Sequence, residues 1–198
     1  MPEPQRITRG RPQDEDLTGH ILAATLDELM DQGYAALRIE RVAAAVGCGK
    51  TAIYRRWATK GELVAAAMNH GTTIGAIPDT GSIAEDLVAH ARQNAKNQGQ
   101  HAGNHNPYTA MVAPEVHEIL WDGGFLAQRR DMGRTLLARA IEREELPGDT
   151  DVDAILDTLA GFVLYRNTIR REPVSEQDLR ELAQALTAAP PRRGPSAQ

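Results

Sequence analysis

Apolar positions along this chain recur at three- and four-residue intervals, and no stretch alternates as a strand would. Leu22, Leu26, Leu29, Met30 and Gly33 form one helical stripe that ends on a glycine. A second, short helix places Ile39, Val42, Ala43 and Val46 inward and is broken by Gly47-Cys48-Gly49. A third runs from Thr51 to Trp57, with Ile53 and Trp57 on one face. Thr59-Lys60-Gly61-Glu62 has capping-box spacing and opens a fourth helix carrying Leu63, Val64, Ala67 and Met68. Gly71 to Gly81 interrupts the pattern. Ser82-Ile83-Ala84-Glu85 reads as another capping box, opening a helix to about Asn97.

A polar stretch from Gln98 to Pro107 precedes a helix expected from Tyr108 to Trp121. After Gly123-Gly124, a long helix is predicted from Leu126 to Leu146, with Gly133, Leu136, Leu137, Ala140 and Ile141 on one face. Another spans about 152–171, and Ser175 to Asp178 caps a last one over 175–187. The fold class is therefore all-α, in two parts: a small N-terminal helical unit and a larger helical body. The tail 189–198 is rich in proline and is expected to be disordered.

Composition narrows the class. The chain has 198 residues, enough for a buried core without disulfides, and its single cysteine excludes a disulfide framework and a four-cysteine zinc site. No apolar run approaches the ~20 residues of a membrane span, so no membrane association and a cytoplasmic location are expected. The net charge of -5 argues against nucleic acid until its distribution is considered. Between residues 38 and 60, Arg38, Arg41, Lys50, Arg55, Arg56 and Lys60 face only Glu40, a local balance of +5. A basic patch on an acidic body suits a protein that docks one surface on phosphates.

Two short helices joined by Gly47-Cys48-Gly49 make a helix-turn-helix pattern, whose second helix presents its N-terminal residues to base edges in the major groove. Those residues are Lys50 and Thr51, with Tyr54 and Arg55 one turn on. The segment from Gly47 to Val64, with Leu22 to Gly33 and Val42-Ala43 upstream, resembles the DNA-binding region of TetR-family (TetR/AcrR-like) transcriptional regulators. Pro78-Asp79-Thr80-Gly81-Ser82, Glu145-Leu146-Pro147 and Tyr165-Arg166 give the body a weaker likeness to one actinobacterial-type subgroup.

The resemblance implies a basic arm at 1–13, a DNA-binding domain at 14–70 and a ligand-binding and dimerisation domain at 71–188. It further implies a homodimer on a palindromic double-stranded operator, acting as a repressor released by an unidentified small-molecule effector. Tyr54 and Lys60 match family positions on the DNA backbone, and Lys50, Thr51 and Arg55 match base-proximal ones; Arg38 and Arg56 join the basic surface. Two departures stand out. Ala52 occupies a position where the family has threonine, and Arg38 replaces a helix-capping hydroxyl. Upstream, Arg9-Gly10-Arg11-Pro12 has the form of a minor-groove arm, and a plain unstructured tail fits it equally.

The resemblance puts the dimer seam on the last two helices, where Leu159, Phe162, Val163, Leu182 and Leu186 form apolar stripes that would equally fill the core of one protomer. A ligand pocket is expected among His90, Asn94, Tyr108, Met111, Trp121, Phe125, Met132, Phe162 and Tyr165, and no arginine or carboxylate cluster identifies a ligand charge. Gly49-Lys50-Thr51 lacks the upstream glycine of a phosphate-binding loop, since that position is Ala44. His101 and His105 stand four apart, in a loop whose composition suits solvation better than metal binding. Cys48 is either an oxidant sensor or a small buried apolar residue. No catalytic set, cofactor motif or metal site emerges. An enzyme or carrier with an incidental basic patch, or a ligand-free architectural factor, are the competing readings.

Overall fold

The computed structural model describes residues 11–99 and 104–194. Every regular element among them is helical: α1 (Arg11–Ala36), α2 (Ile39–Val46), α3 (Lys50–Tyr54), α4 (Lys60–Gly71), α5 (Ile83–Gly99), α6 (Pro114–Trp121), α7 (Phe125–Glu142), α8 (Val152–Leu164) and α9 (Glu176–Ala188). A 3-10 segment, Pro107–Val112, precedes α6, and a π-helical segment, Tyr165–Arg170, continues α8.

Local chemistry explains the boundaries. Gly33 takes φ 73°, a conformation that costs a side chain dearly, and the regular turn of α1 breaks there. Gly47 is left-handed (φ 72°); its N–H reaches Ala44 O and the Cys48 N–H reaches Ala43 O. That is a Schellman ending, and Cys48 packs with Ala43 in the same core. Thr59 Oγ1 accepts from the Glu62 N–H at 3.1 Å, while Glu62 accepts from the Ala58 N–H at 2.8 Å. Ser175 and Asp178 complete a reciprocal capping box at α9.

Three cores form. Ile21, Leu22, Ile39, Val42, Ile53 and Leu63 make the N-terminal one. Leu29, Val64, Met68, Tyr108, Leu120 and Phe125 make a middle one. Leu87, Leu136, Leu137, Ile155, Leu159 and Val163 lead the largest, between α5, α7, α8 and α9. Helix α4 joins the first two. The bridge to the third is polar: α4's Asn69 accepts from the Phe125 N–H at 2.8 Å, capping the start of α7. Buried Asn97 of α5 holds the 72–81 strap through the N–H and carbonyl of Thr73.

Several expectations are corrected. Helix α1 begins at Arg11, inside the segment expected to be a free arm. Tyr108 to Trp121 is not one helix: Pro114 cannot donate to a preceding turn, so it starts α6. Helix α7 stops at Glu142, because the chain folds back to bury Leu146 and Glu144 takes φ 61°. The first N–H of α5, that of Ile83, is donated to Glu145 of the α7–α8 connection at 2.7 Å, while Glu85 faces Arg180 at 3.5 Å. Residues 189–194, expected to be disordered, pair with that connection: Asp151 N donates to Pro191 O, Arg193 N to Asp149 O, and Arg192 forms an ion pair with Asp149. Proline excludes helix there but not extended pairing. His105 is exposed in its loop, as expected, with its backbone N–H donated to Met30 O and its ring beside Gly33; its partner His101 lies outside the described residues.

The α6–α7 turn tests this packing. A Cβ on Gly124 would stand 2.6 Å from Leu120 Cα and 2.7 Å from Leu120 O, whereas one on Gly148 meets nothing. Gly124→Ala should cost about 2–3 kcal/mol of stability in urea unfolding, and Gly148→Ala should be close to neutral.

Candidate nucleic-acid interface and cavity

Helix α3 stands on Ile53, which is fully buried, and this single anchor turns the opposite face outward. Lys50, Thr51, Tyr54 and Arg55 are all exposed on it, and Arg38 lies exposed just before α2 without a capping bond. The structure thus brings five of the expected DNA-facing residues to one surface. Arg9 lies outside the described residues.

Two expected members turn elsewhere. Arg56 donates to Thr18 Oγ1 at 3.1 Å and to Ala52 O at 2.7 Å, so its guanidinium ties the turn after α3 to α1. Lys60 donates to Tyr34 O at 2.9 Å and sits 4.3 Å over the Tyr34 ring. There its charge meets the carbonyl end of α1 and the ring face together. A phosphate contact by Lys60 requires it to leave this seat.

The sequence counts Glu40 among the charges of this segment but does not show which cation it engages. Glu40 of α2 accepts from Lys50 Nζ at 2.9 Å. Hydrogen bonding to Lys50 holds the Glu40 carboxyl below its usual range and raises Lys50 above its own. The pair is exposed and so adds little stability, but it leaves Lys50 already engaged.

The body holds a second candidate site. A cavity of about 140 Å³ opens between α5, α6, α7 and α8. Expected residues His90, Asn94, Trp121 and Phe125 line it. The other five do not. Tyr108 is buried edge-on to Phe125, centroids 5.6 Å apart, and Met111 packs in the same middle core. Met132 and Phe162 are only half-buried outside the lining, and Tyr165 is exposed on the π segment.

In their place come Arg129, Arg130 and Asp157. Arg129 continues the Gly133, Leu136, Leu137, Ala140 stripe backward by four residues, so helical phase alone could have revealed it as inward-facing. Burial pushes the His90 ring down to about 4, with the Arg129 charge assisting, and its buried Nδ1 has no hydrogen-bond partner.

The two sites are connected. Trp121, at the cavity mouth, ends α6; Glu115, near its start, meets α4. A Cβ on Gly61 would lie 2.6 Å from Glu115 Cγ, so only glycine admits this approach. Tyr34 donates its hydroxyl to Glu115 Oε1 at 2.5 Å. Burial, then this bond, raises the Tyr34 phenol well above its usual range, so it remains a donor. Glu115, Tyr34 and Lys60 form one polar junction beside the recognition surface.

The expected seam is also revised. Leu159 and Val163 are buried inside the protomer and are not available to a partner, while Phe162, Leu182 and Leu186 stay partly open. Gly161 is exposed, and a Cβ there meets nothing, so it serves no close packing within the protomer.

Comparison with known proteins agrees with this arrangement. The family model "Bacterial regulatory proteins, tetR family" matches residues 21–67, and "Tetracyclin repressor-like, C-terminal domain" matches residues 77–186. The chain is similar to the uncharacterized HTH-type transcriptional regulator Rv1556 of Mycobacterium tuberculosis, 30% identical over 82% of this chain and 81% of that one. It is similar also to the uncharacterized HTH-type transcriptional regulator YdeS of Bacillus subtilis, 29% identical over 88% and 89%. Among solved structures, the TetR family transcription regulator SCO0332 is 28% identical with a TM-score of 0.63, covering 87% of this chain and 97% of its own.

His90 gives the cavity a measurable pH signature. Above its ordinary value of 6.5 the ring is neutral whether folded or unfolded. From there down to about 4 the unfolded chain gains a proton that the folded one excludes, so stability falls; lower still, both carry it and the loss stops. Urea unfolding between pH 7 and 4 should show this as about 3 kcal/mol, absent in His90→Gln. Superimposable pH profiles for the two proteins would contradict the assignment.

Proposed function

The chain belongs to the TetR family of DNA-binding transcriptional regulators, and from that we propose that it is a dimeric repressor released from a palindromic operator by a small molecule. The observation that carries the reading is the α6 bridge. One eight-residue helix, about 12 Å long, has Trp121 at the cavity and Glu115 against α4 beside the Lys60 seat. An occupant that displaces Trp121 tilts α6, and Gly61 leaves no slack for α4 to ignore it. Two α3 helices must stand about 34–36 Å apart to reach successive major grooves. A shift of α4 changes that spacing and lowers affinity.

Support comes also from similar proteins. The DNA-binding transcriptional repressor TetR of Mycobacteroides abscessus is 28% identical to this chain over 78% of its length. A fold neighbour, FadR of Bacillus subtilis, has been crystallised with stearoyl-CoA.

On this reading, DNA must compete with Glu40 for Lys50. Glu40→Gln should tighten binding to every duplex several-fold and steepen the salt dependence by about one phosphate's worth of released counterions. Tyr54→Ala should weaken all duplexes about equally; a changed base preference would reassign Tyr54 to base reading.

The seam is drawn over the open face of α8 and α9. Gly161→Arg should leave the protomer folded but yield monomers by light scattering, since nothing inside the protomer crowds that position.

The decisive experiment is selection of genomic fragments by the purified protein across a salt series. A palindromic site whose affinity falls steeply with salt supports the reading. No enriched fragment, even after the protein is unfolded, dialysed and refolded to remove bound ligand, overturns it.

A further inference from the structure

Of the charged side chains lining the cavity, only Arg129 is buried, at 8% exposure. Its Nη2 donates to the His90 carbonyl at 2.7 Å, and among the described residues no carboxylate pairs with it. Neighbouring Arg130 is answered from within, by Asp153 at 3.0 Å and Asp157 at 2.5 Å. A guanidinium holds five N–H donors in a flat fork and stays charged. Leaving one buried beside an apolar cavity with one carbonyl partner is unfavourable unless something else supplies the anion. Two titratable neighbours, His90 and Tyr108, do not supply it: the imidazole is neutral or cationic, and burial raises the Tyr108 phenol so that it stays neutral.

Apart from His90 and Asn94, the remaining wall is apolar, led by Trp121, Phe125, Leu126, Leu156 and Leu159. A volume of about 140 Å³ is close to that of a protein cavity known to admit benzene. Resting on the ligand-release reading above, we propose that this cavity binds a small organic carboxylate whose apolar body is about one aromatic ring in size, with its carboxylate on Arg129. A carboxylate matches the fork in two parallel hydrogen bonds. A phosphate monoester brings a second charge that one guanidinium does not balance. A neutral ligand leaves Arg129 unanswered.

The test uses benzoate, phenylacetate and 3-phenylpropanoate, each beside its neutral amide, titrated calorimetrically into the full-length protein. At least one acid should bind tenfold or more tightly than its amide. Arg129→Gln should abolish that preference, and Arg129→Lys, which keeps the charge and guards against a misfolded variant, should keep part of it. If no acid exceeds its amide, or if the preference survives in Arg129→Gln, the proposal is overturned. Adding the same compounds to the protein–DNA complex separates the two readings. Acids that bind through Arg129 yet leave the DNA bound uphold the carboxylate site and remove ligand release. Release by amides as readily as by acids upholds ligand release and overturns the carboxylate site.

Discussion

Helix α4 buries Leu63 and Ala67 in the N-terminal core and Val64, Ala65 and Met68 in the middle one. A helix of twelve residues loaded on two faces has no freedom to rotate, and it slides only if both cores repack. Close-packed interiors resist such repacking in small steps. The orientation of the recognition surface relative to the body is therefore set by apolar burial, and the polar contacts refine it. Gly61 against Glu115 and Asn69 on the start of α7 fix where α4 sits along its length. The hydrogen-bonded Tyr34 and seated Lys60 then record that position in charged and polar groups.

The recognition unit was legible in the sequence because its determinants are local. Gly47 must be left-handed, Thr59 must cap, and Ile53 must point inward, all within eighteen residues of each other. The same reasoning did not foresee the seats of Arg56 and Lys60, for one reason. Both are long side chains with exposed-looking spacing, and their partners, Thr18 and Tyr34, lie on a different helix. Charge counted along a segment gives the number of cations but not which are already occupied.

The body was less legible, because its determinants are distant in sequence. That only Asp122, Gly123 and Gly124 separate α6 from α7 depends on Gly124 lying on the Leu120 backbone, and the fold-back at Leu146 depends on burial against helices far upstream. Cavity residues were chosen by type, aromatic or soft; His90, Asn94, Trp121 and Phe125 fall on the cavity wall, whereas Tyr108 and Met111 pack into a neighbouring core. Arg129 is not among the residues so chosen. Its phase with Gly133 and Leu136 was the better guide. Leu159 and Val163 show the converse: apolar spacing marks burial without saying whether the burying surface belongs to the same chain.

The π-helical segment Tyr165–Arg170 adds a different kind of constraint. Each π turn holds about one residue more than an α turn, so the helical phase established over Val152–Leu164 is offset beyond it. That offset brings Thr168 to Asn106, whose side chain donates to it at 2.8 Å while capping the 3-10 segment. The contact is encoded by how many residues the chain contains there as much as by which ones. Relatives with the same residue types but one position fewer would run a regular helix and lose the join. Sequence comparison in this region must therefore weigh gaps as heavily as substitutions.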